Sequence, residues 1–228
     1  MAKRTHPVIR SGLLLGIIAL LGTAMLAGVN NLTHERIVEQ EKRRMLRQLN
    51  EIVPVVSYNN DLFEDVIEIK DTGFFRHPAP VAVYRARMDG RPVAVMMIVT
   101  AADGYNGDIR LLVGIRADGE ILGVRVISHR ETPGLGDPIE VEKSDWILGF
   151  VEKSLHQPTP NGWAVKRDGG EFDQFTGATI SPRAVVKAVH TTLLYFQANK
   201  QSLFDTPASV PTQRDETRIT GNKMINYQ

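Results

Sequence analysis

The chain reads as an α+β protein, with a single N-terminal transmembrane helix followed by one exported domain in which helices pack on an antiparallel sheet. Three observations carry that reading. Residues 11–33 contain no Asp, Glu, Lys or Arg. Two pairs of apolar runs, each joined by Asp-Gly, follow one another between residues 81 and 128. Helical spacing of apolar side chains returns only after them. Strands in succession and then helices favour α+β over a doubly wound parallel sheet.

The first element is the stretch Gly12–Val29, almost entirely Leu, Ile, Ala, Gly and Met. About 20 such residues, at a 1.5 Å rise each, span roughly 30 Å, the thickness of a bilayer's hydrocarbon core. A helix buried in a soluble domain would carry a polar stripe. Gly22-Thr23-Ala24 has the small-x-small form of a signal-peptide cleavage site. The apolar run continues past it into a polar helical stretch, which favours an uncleaved anchor. Lys3, Arg4 and Arg10 precede the span without an acidic residue, whereas Glu35, Arg36, Glu39 and Glu41 follow it. The positive-inside rule then places the N-terminus in the cytoplasm and everything beyond residue 30 outside, which in a bacterium is the periplasm.

Residues 32–50 continue as a helix with Ile37, Met45 and Leu49 apolar, ended by Pro54. Val81–Arg87 and Pro92–Ala102 flank Asp89-Gly90, and Ile109–Arg116 and Ile121–Ser128 flank Asp118-Gly119, both pairs reading as hairpins. In the last run, simple alternation sets Ile121 and Gly123 against Leu122, Val124 and Val126. Helices are expected over Ser144–Lys153 and Pro182–Asn199. The organisation is a lead and anchor over 1–30, a helical stalk over 31–60, the domain over 61–204, and a polar, disordered tail over 205–228 containing Pro207 and Pro211.

Composition excludes several chemistries. None of the 228 residues is cysteine, so there is no disulfide, cysteine-ligated zinc, iron–sulfur cluster or thiolate nucleophile. With 27 basic and 26 acidic side chains, no net field draws in nucleic acid. The six histidines have no metal-ligand spacing, so no metal site is expected. Gly134-Leu135-Gly136 lacks the third glycine of a dinucleotide fingerprint.

Three loops remain. Asp103-Gly104-Tyr105-Asn106-Gly107 is either a tight turn or a ligand wall. His129-Arg130-Glu131-Thr132-Pro133-Gly134-Leu135-Gly136 is either an irregular connection or a loop whose glycines let backbone approach a flat ligand, with His129, Glu131 and Thr132 offering hydrogen bonds. The third is Asp173-Gln174-Phe175-Thr176-Gly177-Ala178-Thr179, followed by Ile180-Ser181-Pro182-Arg183. Ser181 suits an N-cap and Pro182 a first helical position, leaving Thr179 two residues before a helix N-terminus. That place is either an ordinary capped turn or a seat for phosphate.

Asp173-x-x-Thr176-Gly177-Ala178-Thr179 resembles the flavinylation sequence of FMN-binding subunits in membrane redox complexes. These are the G subunit of the Rnf (Rsx) ion-translocating electron transport complex and the C subunit of the sodium-pumping NADH:quinone oxidoreductase. The anchor, the Gly104–Gly107 and Glu131–Gly136 loops, Ser144-Asp145-Trp146, Trp163–Lys166 and Ser181–Val186 follow in the order found in the Rnf G subunit. The resemblance covers about residues 1–200 and implies FMN joined by a phosphoester bond to Thr179, installed from FAD by a Mg²⁺-dependent flavin transferase. It implies that Thr176, Gly177 and Ala178 shape the turn and that Asp173 matters to the transferase. Ser181 would start the helix. Tyr105, His129, Glu131, Thr132, Gly134, Leu135 and Gly136 would border the ring. It implies no catalytic residue on this chain. The role implied is electron relay within a bacterial inner-membrane complex coupling ferredoxin/NAD electron transfer to ion movement, or keeping a redox-sensing transcription factor reduced. A cofactor-free scaffold or assembly protein and a membrane-tethered ligand sensor are the competing readings.

Overall fold

The computed structural model describes residues 7–208. The expected charges Lys3 and Arg4, and the expected tail from residue 209 onward, lie outside the described residues. Two compact units divide the chain, one running to Leu46 and the other beginning at Arg47. The first is one α-helix, α1 (Pro7–Ile52), whose end runs into the second unit. Within α1, Arg10–Gly28 is long and apolar enough to cross a membrane, with mean hydropathy 2.0 and none of the stretch buried. The anchor and the helix expected over 32–50 are thus one uninterrupted element. Pro54, which cannot donate a backbone N–H, follows its end.

The second unit is built on a five-stranded antiparallel meander, β1 (Val66–Ile69), β2 (Val81–Met88), β3 (Arg91–Ala101), β4 (Ile109–Arg116) and β5 (Ile121–Ser128), in that spatial order. Both expected hairpins form. At the first turn Asp89 and Gly90 take φ of 52° and 76°, the two left-handed residues that a type I′ turn needs. β1 escaped the sequence pattern because it has four residues and sits at an edge. Between β1 and β2 lies α2 (Thr72–Phe75), a single turn capped by Asp71, whose carboxylate accepts from the Gly73 and Phe74 N–H groups at 3.0 and 3.1 Å.

α3 (Ile180–Asp205) crosses one face of the sheet. Ala184, Val185, Val189, Leu193 and Phe196 recur at helical spacing and are buried in one cluster with Val83, Val95, Met97, Leu111 and Val113. Each of the Val, Leu, Met and Phe side chains contributes about 1.5–3 kcal/mol by leaving water. The opposite face is also covered. Tyr84, Met96 and Leu112 are buried there, with Leu49, Ile52, Val53 and Leu62 buried in the segment that precedes the sheet. Ile52 fits a notch where Gly114 pairs with Gly123, and a Cβ at Gly114 would lie 2.2 Å from its Cγ2. Burial pushes the Tyr84 hydroxyl up to about 12.

Three expectations need correction. The Ser144–Lys153 segment is a 3-10 helix over Asp145–Phe150, started by the Ser144 hydroxyl accepting from the Trp146 N–H at 3.2 Å. Its Trp146 and Phe150 rings meet edge to face, 5.4 Å apart at 84°. β5 does not alternate simply, because Gly114 pairs with Gly123 while Ile115 pairs with Ile121. Leu122 is therefore extra, and the bulge turns Ile121 and Val124 to the same core. α3 begins at Ile180 and ends at Asp205, so Pro182 is not its first residue and Ser181 is not its cap.

Candidate functional site

Antiparallel topology brings the three loops to one end of the sheet. Ala101 at the end of β3 pairs with Ile109 at the start of β4, and Ser128 at the end of β5 pairs with Arg110. The 102–108 and 129–136 loops therefore leave the same edge, and the first turn of α3 meets them there.

Glu131 joins all three. It is 4% exposed, and one carboxylate oxygen accepts the Asn106 backbone N–H at 3.1 Å while the other accepts the Ser181 hydroxyl. Ser181 is thus occupied by Glu131 and makes no capping bond, which is why the helix start moves to Thr179. The Thr132 hydroxyl accepts from the Asn106 side-chain amide at 3.1 Å, tying the same two loops a second time. Two glycines make room for the carboxylate. A Cβ at Gly104 would lie 2.2 Å from the Gly107 carbonyl oxygen and 3.0 Å from Glu131 Oε1, and one at Gly136 2.9 Å from Glu131 Oε2.

His129 stays within its own loop. Its Nδ1 accepts the Glu131 N–H at 2.9 Å and its Nε2 meets Glu140 at 2.5 Å. Both ring nitrogens are used, which removes His129 as a direct ligand group. Gly134, at φ 77°, donates its N–H to Asp137 at 2.6 Å. Leu135 and Tyr105 are 47% and 66% exposed, and Ile180, the first residue of α3, is 41% exposed, so two of the loops and the helix start each carry one large apolar side chain into solvent.

The third loop is a tight turn. The Ala178 N–H donates to the Phe175 carbonyl at 3.1 Å, and Gly177 takes φ 79° at the third position, as a type II turn requires. Flanking bonds hold it. The Asp173 carboxylate pairs with Lys166 at 2.6 Å, its carbonyl accepts the Trp146 indole N–H at 2.7 Å, and Trp146 packs edge-on against Phe175. On the far side, Arg183 grips Asp168 with two bonds of 2.6 and 2.9 Å, which hold that exposed carboxyl below its ordinary range. Thr179 is the N-cap residue of α3, partly buried, with φ −71° and ψ −21° and no side-chain capping bond.

Sequence reasoning did not single out Asn106, Asp137 or Lys166 as parts of this frame. Asn106 lay inside a quoted loop, but its pairing with residues 131 and 132 is long-range. Asp137, three residues beyond Gly134, had a local signal as a turn acceptor.

Comparison with known proteins matches two regions of the chain. The RnfG N-terminal region matches residues 1–52, which end where α1 ends. The FMN-binding domain matches residues 104–194, from the Gly104 loop to Leu194 and so through every loop described above. A curated relative, the G subunit of the ion-translocating oxidoreductase complex of Shewanella loihica, is 48% identical over 206 residues, covering 90% of this chain and 97% of its own. The chain belongs to the G-subunit family of ion-translocating oxidoreductase complexes. The G subunit of Pseudomonas aeruginosa PAO1 is 48% identical over 202 residues, covering 89% of this chain and 94% of its own. That of Shewanella baltica is 42% identical over 210 residues, with 92% and 99% covered. These relatives therefore match the apolar N-terminal helix and the domain together, and the expected resemblance holds at the level of the family.

Proposed function

We propose that this chain is a single-pass membrane protein that relays electrons through FMN held covalently on Thr179, within a multi-subunit complex coupling electron transfer of the ferredoxin/NAD type to ion translocation. The observation that carries the reading is the state of Thr179. Its hydroxyl makes no capping bond at the start of a 26-residue helix, inside a turn held in place on both sides.

The residues fit a flavin phosphate ester. Thr179 supplies the hydroxyl that replaces AMP on the flavin-side phosphorus of FAD, its proton being released and AMP leaving, in a reaction run by a separate Mg²⁺-dependent flavin transferase. The N-terminal end of α3 favours the negative charge of the resulting diester. Tyr105, Leu135 and Ile180 provide exposed apolar surface for a flat ring, and Gly134, exposed and with nothing within 4 Å of an added Cβ, permits close backbone approach. Asp173, Thr176, Gly177 and Ala178 form the turn presented to the transferase. When bound, FMN supplies one- and two-electron transfer, and the chain's own part is to hold it, exclude water on one side and set its electrostatics.

Charge asymmetry about the apolar span supports an inner-membrane orientation with the domain in the periplasm. Covalent attachment suits that compartment, where a dissociated flavin is lost. Where the complex serves regulation, the same relay keeps a redox-sensing transcription factor reduced. The test is co-expression with a flavin transferase, denaturation, and in-gel fluorescence. A fluorescent band that disappears in Thr179→Ala is expected. A colourless parent band leaves the cofactor-free assembly protein as the reading.

A further inference from the structure

Glu131 is the one buried carboxylate among the described residues that touches all three loops, and it is unusual in its partners. Its two oxygens are satisfied by neutral donors, the Asn106 N–H at 3.1 Å and the Ser181 hydroxyl. Among the described residues it forms no ion pair with Lys, Arg or His, whereas Asp65, Asp137 and Asp168 each have a cation within 4.0 Å. At 4% exposure, water does little to screen it. It sits against the first turn of α3, two residues from Thr179 through Ser181.

We propose that Glu131 is a positioning residue whose buried charge holds down the reduction potential of the flavin carried on Thr179, an inference that rests on the flavin reading above. The charge acts through space from beneath the loops, because both carboxylate oxygens are already used within the frame. Reduction adds negative charge to the ring, and a fixed, poorly screened negative charge nearby opposes it. The Ser181 and Asn106 donors and the α3 N-terminus keep the carboxylate in place where an isolated buried charge would be expelled.

Glu131→Gln separates charge from geometry. The amide oxygen still accepts from Asn106, and the amide N–H can donate to the Ser181 oxygen, so the frame survives while the charge goes. The experiment compares the full-length parent, Glu131→Gln and Ser181→Ala in detergent after co-expression with a flavin transferase. Covalent flavin, melting temperature and a redox titration at alkaline pH are read for each. In Glu131→Gln, attachment should be retained and the ratio of reduced to oxidised FMN at a fixed ambient potential should rise several-fold, the direction expected when one poorly screened negative charge is removed. Ser181→Ala keeps the charge, loses one tether, and should titrate with the parent.

An unchanged titration in flavinylated Glu131→Gln overturns the inference alone. So does loss of attachment in that variant at an unchanged melting temperature. An equal shift in Ser181→Ala assigns the effect to loop geometry and overturns it too. Absence of covalent flavin from the parent refutes the flavin reading itself, and the inference falls with it.

Discussion

Gly136 is needed for space rather than for its backbone angles, and Gly136→Ala tests whether the Glu131 frame is as tight as its distances indicate. Its φ of −99° and ψ of −13° suit any residue. An added Cβ, however, would lie 2.7 Å from Ser181 Oγ and 2.9 Å from both Glu131 Cβ and Glu131 Oε2. Neither neighbour is a free side-chain tip, since each is bonded to the other. Overpacking of this kind costs about 1–3 kcal/mol, and loosening a hydrogen bond to a charged group adds about 1.5–3 kcal/mol where it breaks. The expected loss is about 2–4 kcal/mol, a fall in melting temperature of roughly 5–15 °C for a domain of this size. Gly134 is the control of the opposite kind. It has φ 77° and nothing within 4 Å of an added Cβ. Gly134→Ala should lose only the left-handed penalty of about 1–2 kcal/mol, and Gly134→Asn, which tolerates that region, less. Thermal unfolding of the full-length chain, followed by near-ultraviolet circular dichroism, measures all three. If Gly136→Ala melts with the parent, or if Gly134→Ala is the more damaging, the assignment of space to one glycine and of backbone angle to the other is wrong.

Thr179→Ala should abolish covalent flavin while leaving the apoprotein's melting temperature within a few degrees, because the side chain makes no capping bond; a collapse on melting would give Thr179 a structural role instead. Arg85 is 2% exposed, pairs with Asp65, and donates to the Leu203, Phe204 and Thr206 carbonyls at the end of α3. Arg85→Ala strands those groups and should cost about 3–5 kcal/mol in urea unfolding; a loss under about 1 kcal/mol would refute the role. His190 stacks on Trp163 at 5.1 Å, and burial lowers its pKa below the ordinary 6.5. The unfolded chain then binds the proton more readily, so this contribution to stability is present above pH 6.5 and is lost as pH falls through the folded value. His190→Gln should flatten the part of the stability profile that lies below pH 6.5, and an unchanged slope there would show that other groups dominate it.

The parts legible in the sequence were those specified locally. Asp89-Gly90 and Asp118-Gly119 fix their hairpins through turn chemistry that needs no tertiary context. The apolar stretch in α1 is legible because a bilayer demands length and composition alone. The third loop was legible as a motif, and its turn needs Gly177 at positive φ. What was not legible depended on distant partners. The bulge at Leu122 exists because two strands must both send side chains to one core, which neither strand states by itself. Ser181 looked like a cap because Ser followed by Pro usually is one. A carboxylate 50 positions earlier claims its hydroxyl instead. The expected role of His129 was displaced in the same way, by Glu140 and the Glu131 N–H.

The displaced cap bears on function. A threonine at an N-cap ordinarily turns its hydroxyl to the first free N–H groups, which is worth about 1 kcal/mol. That requires extended backbone at the cap, and Thr179 instead has helical angles, with its hydroxyl making no capping bond. Ser181 is committed to Glu131, and Pro182 has no N–H to be capped. The first intrahelical bond is Arg183 N–H to the Thr179 carbonyl at 3.2 Å. Two hydroxyl residues therefore stand at a helix start and neither caps it; the Glu131 carboxylate lies against that turn but accepts the Ser181 hydroxyl and the Asn106 N–H rather than an N–H of α3. A local rule broken in this way is expected where function takes precedence over stability. On the flavin reading proposed above, a phosphate ester on Thr179 would supply the missing acceptor, and attachment should then stabilise the domain. The flavinylated parent is expected to melt above Thr179→Ala by more than the bare threonine explains. Equal melting temperatures for apo and flavinylated parent would show that the helix end does not hold the phosphate.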